Sequence, residues 1–240
     1  MKSGDLLKLL LVCVSLFALS AQATELSDAE RAYDAGTFAK AAKIFRFLAE
    51  RGNALAQYNL GKMYYRGHGV PQDSKEAAKW LQLAAEHGDA KAQFQLGVMY
   101  YRGHGVPQNS TEEAKWYRLA AEQGHALAQY DLGFMYAHGQ GVPKDYHEAV
   151  KWYRLAAEQG DTFAQYNLGM MYHKGRGVPQ DNILAHMWIN LAATNAQYSS
   201  FQSRYAETRD KLVAKAMTAN QITKAQKLTE KCASNKFKGC

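Results

Sequence analysis

Apolar and polar positions follow a helical period along most of this chain, and the whole pattern returns every 36 residues. In the first copy, Ala56 and Leu60 lie four residues apart on one face, which predicts an amphipathic helix over residues 53–66. The segment Gly67–Pro71 predicts a break after it, because glycine allows positive φ and proline disfavours helical geometry in the preceding residue. Each copy therefore begins with one helix and one loop.

A second helix completes the copy. Asp73 or Ser74 is placed to cap its N-terminus, and Gly88 is placed to end it in a left-handed conformation. The residues that keep the 36-residue spacing are Trp80, Trp116, Trp152 and Trp188; Gly61, Gly97, Gly133 and Gly169; and Pro71, Pro107, Pro143 and Pro179. Self-similarity at such a period is the signature of a solenoid, in which each unit buries its apolar face against its neighbours. Solenoids mostly bind other molecules, so the repeat weighs against an enzyme.

Small residues at fixed places in the unit predict where two helices pack closely. Gly61 lies on the apolar face of the first helix, and an Ala-Ala pair recurs on the second. We expect the helices to approach at these positions, while Trp80, Tyr64 and Leu83 fill the volume beside them. A larger side chain at a position such as Gly133 is expected to overpack this contact.

The first 23 residues have the pattern of a secretory signal peptide. Lys2 and Lys8 precede an apolar run, Leu9–Leu19, and residues 21–23 (Ala-Gln-Ala) have the small-x-small form of a cleavage site. The run is too short for a membrane span, so we expect residues 1–23 to be removed and the mature chain to contain none. The protein is then exported, to the periplasm or outside the cell. An uncleaved anchor is the alternative.

Two cysteines, Cys232 and Cys240, remain in the mature chain because Cys13 lies within the segment that is removed. An even number of cysteines in an oxidising compartment favours a disulfide. We therefore expect a structural bond that stabilises the tail, with two free thiols as the alternative. The spacing of the pair matches no familiar metal-binding motif.

The net charge of +7 comes mainly from the end of the chain. Residues 24–203 hold 18 basic and 18 acidic residues, whereas residues 204–240 hold nine and three. The basic tail is predicted to form a solvated helix face, and contact with an acidic surface is the alternative. Nucleic acid is not expected as a partner, because the protein is exported and its basic residues lack a recognition motif.

The pattern A-x-Y-x-L-G-x-M-Y-x-x-G-x-G-V-P, followed by A-x-x-W-x-x-L-A-A-E-x-G, resembles the SEL-like repeat (SLR) family, which is related to the tetratricopeptide repeats. In the third copy it consists of Ala128, Tyr130, Leu132, Gly133, Met135, Tyr136, Gly139, Gly141, Val142, Pro143, Ala149, Trp152, Leu155, Ala156, Ala157, Glu158 and Gly160. The resemblance implies an all-α fold, a right-handed superhelical solenoid of antiparallel helix pairs, with the first helices lining its concave surface. In the fourth copy Ala196 replaces the terminal glycine, as expected where an array meets its cap.

The repeats divide the mature chain into three parts. Residues 24–52 resemble a partial repeat that acts as an N-terminal cap, and residues 53–196 form four full repeats of 36 residues. Residues 197–240 are expected to form a C-terminal helical cap and the basic tail, because a terminal repeat must cover its exposed core face.

Positions that differ between copies but stay on one face of the first helix are the candidates for binding a partner. These positions are Asn59, Lys62, Arg66, Gln95, Val98, Arg102, Asp131, Phe134, His138, Asn167, Met170 and Lys174. Because the resemblance places first helices on the concave surface, we expect them to line a groove that binds a protein or peptide. The Asn, Gln and Asp side chains suit peptide amides, and hydrogen bonding to the neighbouring backbone is the alternative.

The eight histidines do not predict a metal site. His68 and His104 occupy equivalent loop positions one repeat apart, and no Cys-rich or His-carboxylate spacing accompanies them. Use in loops or helix caps is therefore favoured. Neither a metal nor another cofactor is expected.

The predicted function is that of an exported, non-enzymatic scaffold for protein–protein interaction. The alternative is a cell-wall enzyme of the β-lactamase or penicillin-binding type, because such activity has been attributed to some cysteine-rich SLR proteins. That chemistry normally shows S-x-x-K and K-T-G motifs, and this chain has neither. The chain also lacks a cysteine pair within its repeats, so no catalytic residue is predicted.

Overall fold

The structure is a computed structural model that describes residues 23–240. All but the last residue of the predicted signal peptide therefore lies outside the described residues. Across this range every regular element is helical, and no strand occurs. The chain divides into two compact units, with the boundary between Gln108 and Asn109.

The described part of the first unit contains α1 (residues 23–34), α2 (Phe38–Glu50), α3 (Ala54–Arg66), α4 (Ser74–Glu86) and α5 (Ala90–Arg102). The second unit contains α6 (Ser110–Glu122), α7 (Ala126–His138), α8 (Tyr146–Ala157), α9 (Thr162–Lys174), α10 (Asn182–Asn195), α11 (Ser199–Thr208) and α12 (Ala219–Ser234), with a π-helical turn (Arg209–Val213) and a 3-10 turn (Ala214–Ala216) before α12. Within the units, α3 packs on α4, α7 on α8, and α9 on α10. The predicted all-α fold of helix pairs is confirmed.

The helix ends follow the predicted capping pattern. Asn53 accepts a hydrogen bond from the amide of Ala56 at 2.9 Å, and His125 makes the equivalent but longer contact with Ala128, at 3.3 Å. The second helix of the first full repeat is capped by Asp73, whose carboxylate accepts from two backbone amides. These side chains pair N–H groups that the helix leaves without an internal partner.

Glycine allows the two helices of a repeat to approach closely, as the sequence predicted. A Cβ at Gly133 would lie 2.8 Å from Cδ1 of Tyr153, and one at Gly169 would lie 2.6 Å from Cγ1 of Ile189. Such distances are shorter than van der Waals contact, so a side chain here would push the helices apart.

The expectation that Leu83 fills the core is wrong. Its side chain is 40% exposed, and the equivalent Leu119 and Leu155 are 37% and 38% exposed. Leu81, two residues earlier, is fully buried and supplies the core contact with Gly61 instead. On a helix, residues two apart face different directions. Because Leu81 faces the first helix of the repeat, Leu83 points away from the core.

The loop inside each repeat packs on the backbone of the preceding repeat. Gly141 has φ +65°, and a Cβ there would lie 2.0 Å from the carbonyl oxygen of Ser110, the first residue of α6. A Cβ at Gly177 would likewise lie 2.2 Å from the carbonyl oxygen of Tyr146. This contact sets the position of one repeat on the next within the unit.

A row of buried glutamines, which was not predicted from the sequence, links successive helices. The side-chain amide nitrogens of Gln57, Gln93, Gln129 and Gln165 donate to the carbonyl oxygens of Ala49, Ala85, Ala121 and Ala157, respectively, at 3.0 to 3.2 Å. Each glutamine adds a second hydrogen bond to a carbonyl near the end of a second helix, which also accepts from the amide of the glycine that follows that helix. The signal was present, because these glutamines also keep the 36-residue spacing.

The row is incomplete at the fourth full repeat. The side-chain oxygen of Gln129 accepts a hydrogen bond from Gln159 at 2.7 Å. The residue equivalent to Gln159 is Asn195, whose shorter side chain donates to the carbonyl oxygen of Leu191 instead. As a result, the side-chain oxygen of Gln165 is buried without a hydrogen-bond partner among the described residues.

Restoring the missing donor is expected to stabilise the second unit. Asn195→Gln gives Gln165 the partner that Gln159 gives Gln129, and should raise the free energy of unfolding by about 1 kcal/mol. The melting temperature should rise by about 2–4 °C. The reciprocal variant, Gln159→Asn, should lower it by a similar amount. No change in either variant would show that these amide contacts add nothing to stability.

The chain ends with two helical elements that pack against the last repeat helix. Both α11 and α12 contact α10. A disulfide joins Cys232 and Cys240, whose Cα atoms are 5.6 Å apart. The ring of Phe237, inside that disulfide loop, lies 3.4 Å from the position of a Cβ on Gly160. No helix in the part of the chain that the structure describes is long and apolar enough to cross a membrane.

Candidate functional site

The first helices of the second unit, α7 and α9, lie side by side. The ring centroids of Tyr130 and Phe163 are 5.9 Å apart, and Asn167 hydrogen-bonds the Tyr130 hydroxyl. Six predicted partner-binding residues, together with Leu127 and Phe163, form what we call the α7–α9 face: Asp131, Phe134, His138, Asn167, Met170 and Lys174.

A cavity of about 150 Å³ opens on this face. Four of the predicted residues line it, namely His138, Asn167, Met170 and Lys174. The other lining residues are Ala137, Tyr146, Tyr153, Met171 and Arg176. The structure therefore brings together most of the residues predicted for this unit and adds tyrosine and arginine side chains from outside the first helices.

Hydrogen bonds hold two of the polar groups around the cavity in place. Asn167 bonds to the hydroxyls of Tyr130 and Tyr153. His138 Nδ1 lies 2.9 Å from the carbonyl oxygen of Phe134, and their rings stack with centroids 4.0 Å apart. Since a carbonyl oxygen only accepts, Nδ1 of His138 is the protonated nitrogen, which leaves Nε2 for another partner.

Three cations surround Tyr146 at the edge of the cavity. Lys144 Nζ lies 4.9 Å from the centroid of its ring, and the Arg176 guanidinium carbon lies 5.4 Å away. A hydrogen bond from Lys144 lowers the pKa of Tyr146, and the positive charges of Arg176, Lys144 and Lys174 lower it further. The edge of the cavity is therefore electropositive.

Two acidic residues of the same unit have strongly raised pKa values. Burial raises the pKa of Asp131 to about 7, and the charges of Glu113 and Asp161 add to the effect. Burial also raises the pKa of Glu113 to about 7. Both carboxyl groups are therefore harder to ionise in the folded protein than in water.

An exposed aromatic cluster extends the α7–α9 face toward α11. Phe163, which is 42% exposed, packs edge-on against Phe201 with ring centroids 5.2 Å apart. A cavity of about 320 Å³ lies here, lined in part by Leu127, Phe163, Tyr198 and Phe201. Leu127 and Tyr198 are 50% and 66% exposed, so this part of the surface is largely apolar.

The corresponding residues of the first unit form a basic and aromatic surface. Lys62 Nζ lies 5.1 Å from the ring centroid of Tyr58 and 5.9 Å from that of Tyr33. Burial lowers the pKa of Lys62, and the neighbouring charges of Arg66 and Lys91 lower it further. This side chain is therefore among like charges.

The polar row predicted to grip peptide amides makes few bonds in the first unit. Asn59 and Gln95 are both half-buried, and neither side chain hydrogen-bonds another residue within 23–240. Val98 is also half-buried, and Arg102 is exposed. Bonding of this row to neighbouring backbone, the alternative suggested from the sequence, is not seen at these two positions.

The loop histidines bind tyrosines of other helices. His68 Nδ1 lies 3.1 Å from the Tyr33 hydroxyl, and His104 Nδ1 lies 3.2 Å from the Tyr65 hydroxyl. No group of three or more His, Cys, Asp or Glu side chains suited to a metal occurs among residues 23–240.

Lys144, Tyr146 and Arg176 were not predicted, because the candidate binding positions were chosen only along the first helices of the repeats. A signal exists in the loops. The residues equivalent to Lys144 in the other repeats are Gln72, Gln108 and Gln180, and those equivalent to Arg176 are His68, His104 and Gln140. A comparison of loop positions between the repeats therefore identifies Lys144 and Arg176, the two loop cations that lie beside the cavity.

Comparison with known proteins places the repeat in a family. A family model described as Sel1 repeat matches residues 54–89, 90–125, 126–161 and 162–196. A Sel1 repeat protein from Oxalobacter formigenes is 34% identical with a TM-score of 0.73, and the match covers 85% of this chain and 84% of that one. No curated protein matches the chain in sequence.

A second solved structure is similar over most of this chain. It is a protective antigen of uropathogenic Escherichia coli strains that displays an SLR fold, 32% identical with a TM-score of 0.76. The match covers 91% of this chain and 47% of the other, so this chain spans about half the length of the E. coli protein. The family model matches four repeats of this chain, and two solved structures with such repeats are similar to it in sequence and fold. The chain therefore belongs to the Sel1 repeat family.

Proposed function

We propose that this chain is an exported, non-enzymatic scaffold that binds a segment of a partner protein on its first helices. Sel1 repeat proteins are generally protein-interaction scaffolds and are typically non-catalytic. The apolar run before residues 21–23 supports export, and so does the disulfide between Cys232 and Cys240, since such bonds persist in oxidising compartments. The mature protein is then periplasmic or secreted.

The main support for the binding surface is the exposed apolar area of the α7–α9 face. Leu127, Phe134 and Phe163 are 50%, 36% and 42% exposed on adjacent helices. They lie beside polar and charged side chains that include His138 and Lys174. Exposed apolar side chains grouped within a polar rim are typical of protein interaction sites.

Site-specific crosslinking tests this surface in cells. A photoreactive phenylalanine at Phe134 should form crosslinks to a protein partner on irradiation, because the side chain is on the proposed face. The matched control is the same substitution at Leu119 on α6, which is 37% exposed against 36% for Phe134 but lies on a second helix. Mass spectrometry of the crosslinked bands identifies the partner.

The control decides what the result means. Crosslinks at Phe134 that are absent at Leu119 support the proposed surface. Equal yields at both positions, or none at Phe134, would show that the α7–α9 face does not bind the partner.

A further inference from the structure

The cations beside the cavity on the α7–α9 face have no carboxylate partner among the residues that the structure describes. Lys144 and Arg176 both contact the ring of Tyr146. Lys174 lines the same cavity, and its charge acts on the hydroxyl of Tyr146. Within residues 23–240, none of the three cations forms an ion pair with a carboxylate. Like charges gathered at one place repel each other, so the site favours an anion.

The acidic residues that neighbour Lys144 and Tyr146 in sequence, Asp145 and Glu148, are engaged elsewhere. The carboxylate of Asp145 accepts hydrogen bonds from the amides of His147 and Glu148 and caps α8. Glu148 in turn pairs with Lys151 and accepts from the indole of Trp152. Neither carboxylate neutralises the cluster.

The repeat itself shows that the fold does not require these charges. Gln72 and Gln180, which are equivalent to Lys144, each donate to a carbonyl oxygen across the loop at 2.9 Å. Lys144 instead contacts Tyr146, and the other repeats have Ser74, Ser110 or Asn182 where the third repeat has this tyrosine. The third and fourth repeats therefore depart from the common pattern at Lys144, Tyr146 and Arg176, which lie together at the edge of one cavity.

The walls of the cavity fit a short acidic side chain. Met170, Met171 and Tyr153 offer apolar surface for methylene groups, and the amide of Asn167 adds a polar group. A volume of about 150 Å³ accommodates a carboxylate with its methylenes, and a guanidinium binds a carboxylate with two parallel hydrogen bonds.

We propose that this cavity binds the carboxylate of an aspartate or glutamate in an acidic segment of the partner protein, with Lys174 and Arg176 as the cations that contact it. The proposal rests on the function proposed above and specifies the chemistry of the partner. Lys144 holds Tyr146 against the cavity and adds to the positive potential.

A glutamate peptide tests the site directly. Fluorescein-labelled hexaglutamate is titrated with the full-length mature protein at an ionic strength of about 0.15 M, where distant charges are screened, and binding is followed by fluorescence anisotropy. Lys174→Gln combined with Arg176→Gln should weaken binding by at least about tenfold, because both charge-assisted contacts are lost. The matched control, Lys224→Gln with Lys227→Gln, removes the same charge from exposed positions on α12 and should change affinity less than about twofold, since screened distant charges contribute little.

Three further probes separate the possible anions. Hexaglutamine should not bind, which shows that charge is needed. Inorganic phosphate and vesicles that contain an anionic phospholipid should not displace hexaglutamate from the cavity at matched charge. Equal loss of affinity in the α12 control variant would overturn the proposal in favour of nonspecific attraction, and displacement by vesicles or phosphate would overturn it in favour of another anion.

Crosslinking from Phe134 distinguishes this proposal from the function on which it rests. If the wild-type protein forms crosslinks and the Lys174→Gln, Arg176→Gln variant loses them, both stand. If the variant crosslinks as well as wild type, the acidic-segment proposal fails and the binding surface remains. If the wild type forms none, the binding surface fails, and the hexaglutamate titration still decides whether the cavity binds carboxylates. Lys174 and Arg176 are exposed, so the melting temperature of the variant is expected to stay within about 1 °C of wild type.

Discussion

Gly141→Ala is expected to destabilise the second unit by about 3 kcal/mol or more. The added Cβ would lie 2.0 Å from the carbonyl oxygen of Ser110, which belongs to the first turn of α6 and has little freedom to move. The positive φ of +65° adds strain for any residue with a side chain. To accept the alanine, the loop must therefore leave the helix on which it rests.

Chemical denaturation measures this loss, and another glycine isolates the contact from the backbone strain. Gly124 has φ +87°, and a Cβ there would meet nothing within 4 Å. Gly124→Ala should therefore cost about 1–2 kcal/mol from the left-handed conformation alone. If the two variants lose equal stability, the close approach to Ser110 does not constrain the loop.

Asp131→Asn is expected to stabilise the protein above neutral pH by roughly 1–3 kcal/mol. The wild-type carboxylate is charged there although burial and neighbouring acidic groups oppose its ionisation. Asparagine has nearly the same shape and no charge, so it removes this cost. The free energy of unfolding, measured by denaturant titration from pH 4 to pH 8, provides the test.

The sign of the pH dependence follows from the two pKa values. In the unfolded chain Asp131 ionises near its ordinary pKa of 3.8, and in the folded protein near 7. Between these values the folded state binds more protons than the unfolded state, so wild-type stability falls as pH rises. The gain from Asp131→Asn should accordingly be small at pH 4, grow through this window and level off above pH 7.

A control removes the same charge from solvent. Glu122→Gln, on the exposed end of α6, should leave both the stability and its pH profile nearly unchanged. A wild-type profile that stays flat between pH 4 and pH 7, or an Asp131→Asn profile as steep as that of the wild type, would show that Asp131 is not held in an unfavourable environment.

Much of the fold follows from the spacing of residues along the sequence. The period predicted the helix pairs, and Gly133 and Asp73 indicated a close helix contact and a helix cap that the structure contains. These features depend on neighbours within one repeat, which the sequence displays directly. Leu83 was misjudged because the choice between it and Leu81 depends on the direction of a partner helix, which hydrophobicity alone does not specify.

The candidate site was predictable only in part. Substitutions between copies identified Asn167 and Lys174 on the first helix. The positive edge of the cavity also depends on loop residues, which are not on the helix face that was compared between copies. The raised pKa of Asp131 depends on the groups that surround its carboxylate in the folded protein. Burial and electrostatic potential arise from several helices at once, so no single stretch of sequence displays them.

The contact between loop glycine and helix backbone has an evolutionary consequence. Gly141 rests on the carbonyl oxygen of Ser110, and Gly177 rests on that of Tyr146, so neither contact depends on the identity of the side chain beneath it. Serine can therefore be exchanged for tyrosine at this position without loss of the step between repeats. Repeats that arose by duplication can therefore acquire different side chains at this position. The spacing between the repeats is retained, because the contact is made by a backbone carbonyl oxygen that a substitution does not change.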